Sequence, residues 1–321
     1  MRFLAVLLAL LAIASCAGVP PPPPQAAGGL WMDAAIFIPV ARTIEGARTR
    51  ILVEMYEFGR ADLEASLVAA RGRGVEVRLV LDPTVADTVS TGRRLLAAGV
   101  PVRFYPVDDR LGQIDHVKLL VGDGRAVLGG MNWGRHSDRN HDYALWLTEP
   151  AELERLAAVF EQDWDLAGGF ARPLPPEAGP IAQTAPGSEI RSLLGAALAG
   201  ARLRIEAELF DLTDADLLLL LETAARRGVR VRVLLEPGQY VNRPAFAQLR
   251  RAGLDARWYR APPGAKLHAK AVLADTRLLL GSANWSRHGL DVNHELDIET
   301  EDRAATAAYD ARFDSDWEAA A

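Results

Sequence analysis

Two of the chain's lysines lie two positions after a histidine, an arrangement suited to chemistry on an anion. His116 precedes Lys118, and His268 precedes Lys270. Residues two apart in a strand point to the same face, so each pair would place an imidazole beside an ammonium. An imidazole can act as a nucleophile, an acid or a base near neutral pH. Only three of the 36 lysine and arginine residues are lysines, and a compact ammonium is not interchangeable with a broad guanidinium inside a site, so these positions are candidates for a functional role.

The histidines also reveal an internal repeat. The six histidines form three pairs with separations of 152, 152 and 153 positions: His116 with His268, His136 with His288, and His141 with His294. Histidines placed only by local packing would not give three matching separations. The chain is therefore a duplication, and a fixed repeat decides the fold prediction.

The repeat predicts the elements that position these residues. Residues 51–83 and 204–237 share one pattern: an apolar strand, a helix with apolar positions three and four apart, a glycine and a second strand. This pattern predicts an α/β fold with two tandem domains, at 31–165 and 190–321. A linker rich in Gly, Pro and Ala would join them at 166–189. A pseudo-twofold axis would bring equivalent residues to the domain interface, where we expect the active site.

Each half carries one extended motif, His-x-Lys-x4-Asp followed by Gly-Gly/Ser-x-Asn. The motif residues are His116, Lys118, Asp123, Gly129, Gly130 and Asn132 in the first half, and His268, Lys270, Asp275, Gly281, Ser282 and Asn284 in the second. Two complete copies resemble the paired motifs of the phospholipase D superfamily, over nearly all of residues 45–318. The resemblance implies two tandem phospholipase D-like α/β/α domains and a phosphohistidine intermediate formed without a cofactor.

The resemblance also implies a role for each residue. One histidine would attack the phosphorus and the other would protonate the departing alkoxide, with His116 as the nucleophile and His268 as the acid. The ligands of the non-bridging phosphate oxygens would be Lys118, Lys270, Asn132 and Asn284. A downstream carboxylate would hold the second ring nitrogen of each histidine. The matching positions are Asp142 and Glu295, which lie 26 and 27 residues after their respective histidines.

Several residues have two interpretations. Asp123 and Asp275 complete the catalytic motif, but Asp-Gly and Asp-Thr after an apolar strand are also ordinary hairpin-turn sequences. We expect the remaining histidines to be structural: His136, His141, His288 and His294. A metal site is not expected at the motif, because a lysine two residues from each histidine would repel a divalent cation. A binding protein derived from the enzyme would have degenerate motifs, and both copies are intact.

The amino terminus predicts export. Residues 1–15 have one positive charge and a short apolar run, as in a secretion signal. Cys16, the only cysteine, ends a segment that resembles the lipobox of bacterial lipoproteins, and a proline-rich tether follows at 16–30. We therefore expect a lipid-anchored protein on a bacterial membrane, facing the periplasm from the outer membrane if the source has one. The alternative is a soluble secreted protein.

Charge and anchoring narrow the expected substrate. The net charge of -6 comes without a basic patch, so a nucleic-acid partner is not expected. A membrane phospholipid is the expected partner, hydrolysed to phosphatidic acid by a monomer that acts as an internal pseudo-dimer. The alternative is a phosphatidyl transferase like the cardiolipin synthases of the superfamily. A metal-independent endonuclease is a third possibility.

Overall fold

The duplication appears as two seven-stranded mixed sheets, each packed against helices. The structure is a computed structural model and describes residues 28–320. The α/β class is confirmed, and so is the strand, helix, strand order of both repeats. No helix among residues 28–320 is both long and apolar enough to cross a membrane.

The first half builds its sheet in the order β1-β7-β6-β5-β2-β3-β4. Its strands are β1 Leu30–Met32, β2 Arg50–Met55, β3 Glu76–Leu81, β4 Val102–Phe104, β5 Lys118–Gly122, β6 Arg125–Gly129 and β7 Tyr143–Leu147. Its helices are α1 Phe37–Gly46, α2 Ala61–Gly72, α3 Ala86–Ala97 and α4 Pro150–Ala167. Strands β2, β3 and β4 are parallel, and the other pairings are antiparallel.

The second half repeats this order as β8-β14-β13-β12-β9-β10-β11. Its strands are β8 Ile181–Thr184, β9 Arg204–Leu209, β10 Arg230–Leu235, β11 Asp255–Trp258, β12 Lys270–Ala274, β13 Arg277–Gly281 and β14 Glu295–Thr300. Its helices are α5 Glu189–Gly200, α6 Ala215–Arg226, α7 Asn242–Arg251 and α8 Arg303–Ala319. Strand β8 lies inside the segment predicted as a linker, because Ile181–Thr184 pairs with β14 at the sheet edge.

The topology places the histidine motifs at one edge of each sheet. In a sheet with parallel strands, the carboxyl ends of those strands meet at one edge, where ligands usually bind. Strand β5 runs antiparallel to β2, so its first residue, Lys118, pairs with Met55 at the end of β2. Lys270 pairs with Leu209 at the end of β9 in the same way. Both motifs therefore begin at the carboxyl edge of their parallel strands.

A single apolar core joins the two halves. Helices α4 and α8 contribute Phe160, Tyr309 and Phe313 to a buried cluster that also includes Leu128 of β6 and Leu280 of β13. Each sheet has one further apolar cluster on its outer side. This cluster lies under α1 and α2 in the first half and under α5 and α6 in the second. Because the central cluster belongs to both sheets, it holds the two motif edges against each other.

Candidate active site

The two catalytic candidates are buried at the domain interface and are linked across it through the backbone. His116 and His268 are 5% and 6% exposed, respectively. The backbone amide of His116 donates a hydrogen bond to the carbonyl oxygen of His294 over 2.8 Å. The backbone amide of His268 donates to the carbonyl oxygen of His141, also over 2.8 Å. Each histidine is thus held in place by the opposite half, as expected for a site on a pseudo-twofold axis.

The orienting carboxylates cross the interface as well. Glu295 of the second half lies 2.8 Å from Nδ1 of His116, and Asp142 of the first half lies 2.7 Å from Nδ1 of His268. The sequence spacing assigns each carboxylate to the histidine of its own repeat. In the structure each carboxylate instead contacts the histidine of the other repeat. Because Nδ1–H donates to a carboxylate, Nε2 is the nitrogen available to a substrate.

Each motif lysine packs beside its histidine and an aromatic ring. Lys118 donates to the carbonyl oxygen of His116, and its Nζ lies 5.1 Å from the centre of the Tyr56 ring. Lys270 donates to the carbonyl oxygen of His268, and its Nζ lies 3.2 Å from that imidazole. Both lysines are 3% exposed. Two ammonium groups in so little water form a strong site for an anion.

Burial sets the protonation of these groups. Loss of hydration and the nearby Lys118 lower the pKa of His116 to about 4, although Glu295 opposes the shift. Burial and the two ammonium groups also hold the pKa of His268 well below its usual value. Both imidazoles are therefore neutral at pH 7 in the free protein, as a nucleophile requires.

Burial also shifts the pKa values of the two lysines and of the two orienting carboxylates. Burial lowers the pKa of Lys118 to about 7 and that of Lys270 to about 8, while Glu295 and Asp142 favour the charged forms. Burial raises the pKa of Asp142 to about 7. Burial also disfavours ionisation of Glu295, but contact with His116 outweighs it and leaves its pKa below the usual range. The two carboxylates therefore differ in their pKa values.

The motif asparagines have buried side-chain oxygens. The Oδ1 atoms of Asn132 and Asn284 are buried and have no hydrogen-bond partner among residues 28–320. Asn132 is 6% exposed and follows Gly130, where a Cβ atom would meet Oδ1 of Asp142 at 2.3 Å. Glycine is thus required for the loop to pass the carboxylate that orients His268. The asparagine side chains would offer their amide groups to a phosphate.

The structure does not place Asp123 and Asp275 at the site. The Asp123 carboxylate accepts from the backbone amides of Arg48 and Thr49 over 2.6 and 2.7 Å, and Asp275 accepts from Arg202 and Leu203 over 2.8 Å. Each aspartate lies in the hairpin turn that follows its motif strand, roughly 16 Å along the strand from the lysine. The catalytic assignment of both residues is therefore corrected to a structural one, in which they tie the turn to the start of β2 or β9.

The sequence prediction missed two aromatic walls. Tyr56 and Phe210 follow the repeated strands β2 and β9, and their rings lie 4.8 and 4.9 Å from the imidazoles of His116 and His268. They occupy matching positions in the repeat, 154 residues apart. That match was the available signal, because each follows a buried strand at the carboxyl edge of its sheet. By contrast, His136 and His288 are exposed.

Metal-ligand geometry occurs elsewhere in the described chain. Three groups of side chains place candidate ligand atoms within 4.8 Å of one another: Glu54, Asp163 and His294; His141, Glu208 and Asp316; and Glu206, Asp310 and Asp314. None of these groups contains His116 or His268. The structure brings together two neutral imidazoles and two lysines, which suit nucleophilic displacement at a phosphodiester.

Comparison with known proteins agrees with this chemistry. The family model described as "Cardiolipin synthase, PLD-like domain" matches residues 40–164 and 194–317. The probable cardiolipin synthase YwiE of Bacillus subtilis (strain 168) is 25% identical over 88% of this chain and 64% of its own length. Cardiolipin synthase A of Pseudomonas entomophila (strain L48) is 28% identical over 89% of this chain and 67% of its own length. The chain spans between about half and two thirds of the length of the curated relatives it matches.

Solved structures share the fold of both halves. The phosphatidylserine synthase of Haemophilus influenzae Rd KW20 superposes with a TM-score of 0.69 at 12% identity, over 89% of this chain and 86% of that one. The polyphosphate kinase of Porphyromonas gingivalis gives a TM-score of 0.63 at 15% identity, over 89% of this chain and 46% of that one. At these identities the likeness concerns the fold alone.

Proposed function

This chain belongs to the phospholipase D superfamily of enzymes that act on phosphodiester bonds, and on that premise we propose that it is a phosphatidyl transferase. It would move a phosphatidyl group from one phospholipid to a hydroxyl group of a second lipid. The names of the relatives carry this proposal, since the matched proteins are cardiolipin synthases. Hydrolysis, expected first from the sequence, uses the same intermediate with water as the acceptor.

The first step would form a phosphohistidine. Nε2 of His116 attacks the phosphorus, the bond between phosphorus and the head-group oxygen breaks, and the head-group alcohol leaves with a proton from His268. The ionised Glu295 beside Nδ1 supports this choice of nucleophile, because it stabilises the positive charge that develops on the attacking imidazole.

Substrate binding would prepare His268 as the acid. In the free protein burial and two ammonium groups lower its pKa. A bound phosphodiester carries one negative charge, which offsets these cations and raises the pKa of the imidazole. In the second step neutral His268 removes the proton from the acceptor hydroxyl, whose oxygen displaces His116 from the phosphorus.

The test uses vesicles of phosphatidylglycerol and the purified protein in the presence of a chelator. Transfer predicts cardiolipin and free glycerol in equal amounts, measured by mass spectrometry of the lipid and aqueous phases. Replacement of either catalytic residue, His116→Ala or His268→Ala, should lower the rate by at least about 10²-fold. Phosphatidic acid as the sole lipid product would identify a hydrolase instead, and full activity in both variants would reject the active site.

Export and lipid attachment are a further part of this proposal. Cys16 and residues 17–27 of the proline-rich tether lie outside residues 28–320, and their sequence supports attachment to a membrane. The last tether residue, Leu30, begins strand β1. Mass spectrometry of the protein expressed in a bacterium should find residue 16 at the amino terminus with acyl chains attached. A Cys16→Ser variant that remains in the membrane fraction with an unmodified amino terminus would contradict lipid anchoring.

A further inference from the structure

A second buried histidine lies behind each catalytic histidine, together with one glutamate and one aspartate. We call these sets the His294 group, formed by His294, Glu54 and Asp163, and the His141 group, formed by His141, Glu208 and Asp316. The His294 group is fully buried. In the His141 group, the side chains of His141, Glu208 and Asp316 are 3%, 0% and 14% exposed. The motif chemistry uses none of the six residues.

The two groups are copies of each other. Glu54 and Glu208 lie at the fifth residue of β2 and β9, while Asp163 and Asp316 lie near the ends of α4 and α8. The separations along the chain are 154 residues for the glutamates and 153 for the aspartates. In each group the two carboxylates come from one half and the histidine from the other. A buried set of ionisable side chains that recurs at both interface positions is unlike ordinary core packing.

The His294 ring has partners at both nitrogens. Its Nε2 lies 3.1 Å from the Asp163 carboxylate and 3.5 Å from that of Glu54. Its Nδ1 lies 3.1 and 3.0 Å from the carbonyl oxygens of Thr184 and Ala185, which can only accept hydrogen bonds. The His294 ring therefore donates through Nδ1 and is held by carboxylates at Nε2. Tyr105 stacks on the ring at 4.9 Å between centres.

The His141 ring is held in a similar way. Its Nε2 lies 3.3 Å from both Glu208 and Asp316, and its Nδ1 lies 2.6 Å from Asp33. Tyr259, at the position in the repeat that matches Tyr105, stacks on it at 5.4 Å between centres. Burial disfavours protonation of both imidazoles, but the adjacent carboxylates outweigh it and raise the pKa of each to about 9.

Each of these histidines is directly connected to the catalytic apparatus. The carbonyl oxygen of His294 accepts a hydrogen bond from the backbone amide of His116, and the next residue, Glu295, binds the His116 ring. In the other half, the carbonyl oxygen of His141 accepts the amide of His268. The residue after His141 is Asp142, which binds the His268 ring. One dipeptide therefore fixes both the backbone and the ring of each catalytic histidine.

We propose that His141 and His294 are positioning residues for catalysis. Each ring is held by two carboxyl groups of the opposite half. The held ring keeps the next residue in the chain, the orienting carboxylate, in contact with the catalytic histidine of that opposite half. His294 serves His116 through Glu295, and His141 serves His268 through Asp142. A displacement of about 1 Å at a reacting group can cost on the order of 10²-fold in rate, so a rigid support for the orienting carboxylate matters.

A crossed set of double variants tests the proposal. Asp163→Asn and Asp316→Asn preserve side-chain shape while weakening the hold on His294 and His141, respectively. Each is combined with Glu295→Gln and, separately, with Asp142→Asn, and kcat is measured on the phosphodiester that the wild-type protein turns over fastest. We expect Asp163→Asn alone to lower kcat on the order of 10-fold with KM unchanged.

The combinations separate positioning from general damage. On the Glu295→Gln background, Asp163→Asn should cost less than about 2-fold, because the residue it acts through is already removed. On the Asp142→Asn background it should keep its full effect of about 10-fold. Asp316→Asn should show the opposite pattern, with its effect lost only on the Asp142→Asn background.

Controls and contrary outcomes are defined by the same repeat. The exposed pair His136→Gln and His288→Gln should leave kcat unchanged. If Asp163→Asn does not fold, as judged by circular dichroism, His294→Gln takes its place in the cycle. Equal losses on both backgrounds would show only general destabilisation, and a folded Asp163→Asn or His294→Gln variant with wild-type kcat would overturn the proposal directly. The crossed pattern depends on which carboxylate holds which ring, so it applies to hydrolysis as well as to transfer.

Discussion

The alkaline limb of the pH profile is the most direct test of the electrostatics of the site. Lys118 and Lys270 are the groups expected to bind the phosphate, and burial lowers their pKa values to about 7 and about 8. His116, with a pKa lowered to about 4, stays neutral throughout the range from pH 6 to 9.5. Asp142, with a pKa of about 7, is mostly ionised above pH 8. From pH 8 to 9.5 kcat/KM should therefore fall with rising pH, because the free enzyme loses its ammonium charges.

The size of the fall follows from the protonated fractions. Two pH units above its pKa, a group is about 1% protonated, so at pH 9 the requirement for Lys118 alone lowers kcat/KM about 10²-fold below its plateau. Lys270 adds a further factor of about 10 if its charge is also required. In the enzyme–substrate complex the phosphate stabilises both ammonium groups, so the fall in kcat should begin at higher pH.

The assay measures initial rates on one phosphodiester from pH 5.5 to 9.5 at constant ionic strength, with structure checked by circular dichroism. Lys118→Arg is the matched variant, because a guanidinium keeps its charge throughout this range. Its absolute rate should be low, since Lys118 is buried and a broader guanidinium would displace its neighbours, but its alkaline limb should move to the value set by Lys270. A wild-type kcat/KM that stays flat from pH 6 to 9.5 would refute the assignment of buried, titrating lysines.

Three further predictions concern stability and phosphate binding. Asp123→Asn or Asp275→Asn should lower the free energy of unfolding by about 1–2 kcal/mol, seen as a lower Tm, while kcat changes less than about 2-fold. Asn132→Leu or Asn284→Leu should lower kcat on the order of 10²-fold. Their Tm should not fall, because the change removes a buried carbonyl that has no partner. The raised pKa of His294 stabilises the fold fully below about pH 6.5, and this stabilisation is lost as pH rises through about 9. The Tm difference between the wild-type protein and His294→Gln should therefore shrink between those values, and a constant difference would contradict a charged His294.

The candidate residues could be selected from the sequence because side-chain chemistry and repeat spacing are local properties. Each motif lysine begins a strand with a clear apolar pattern, and its histidine lies two residues earlier. The structure places both histidines at the interface. The exchange of Glu295 and Asp142 was not predictable in this way. A spacing of 26 or 27 residues says that a carboxylate recurs, but the partner depends on how the two halves dock.

Short and irregular segments were the other difficulty. Strand β8 has four residues, Ile181–Thr184, flanked by Gly and Pro, so it is too short to show an alternating pattern against its surroundings. The strand forms because the edge of β14 offers unpaired backbone groups to which it can hydrogen-bond, and this is a tertiary interaction. The turn aspartates show the converse case. A recurring polar residue suggested chemistry, but the backbone amides at the starts of β2 and β9 required a carboxylate there.

Each half supplies the carboxylate that orients the histidine of the other half, so the proposed site needs both halves. Neither half contains a catalytic histidine together with the carboxylate that orients it, so an isolated half would have an imidazole without a fixed tautomer. A duplicated chain, unlike a symmetric dimer, can change one copy alone. It has Glu295 in one copy and Asp142 in the other, and Arg312 beside His141 where Val159 stands in the first repeat. Glu295 and Asp142 contact the two imidazoles proposed as nucleophile and acid, so the asymmetry of the proposed reaction can be built into the sequence.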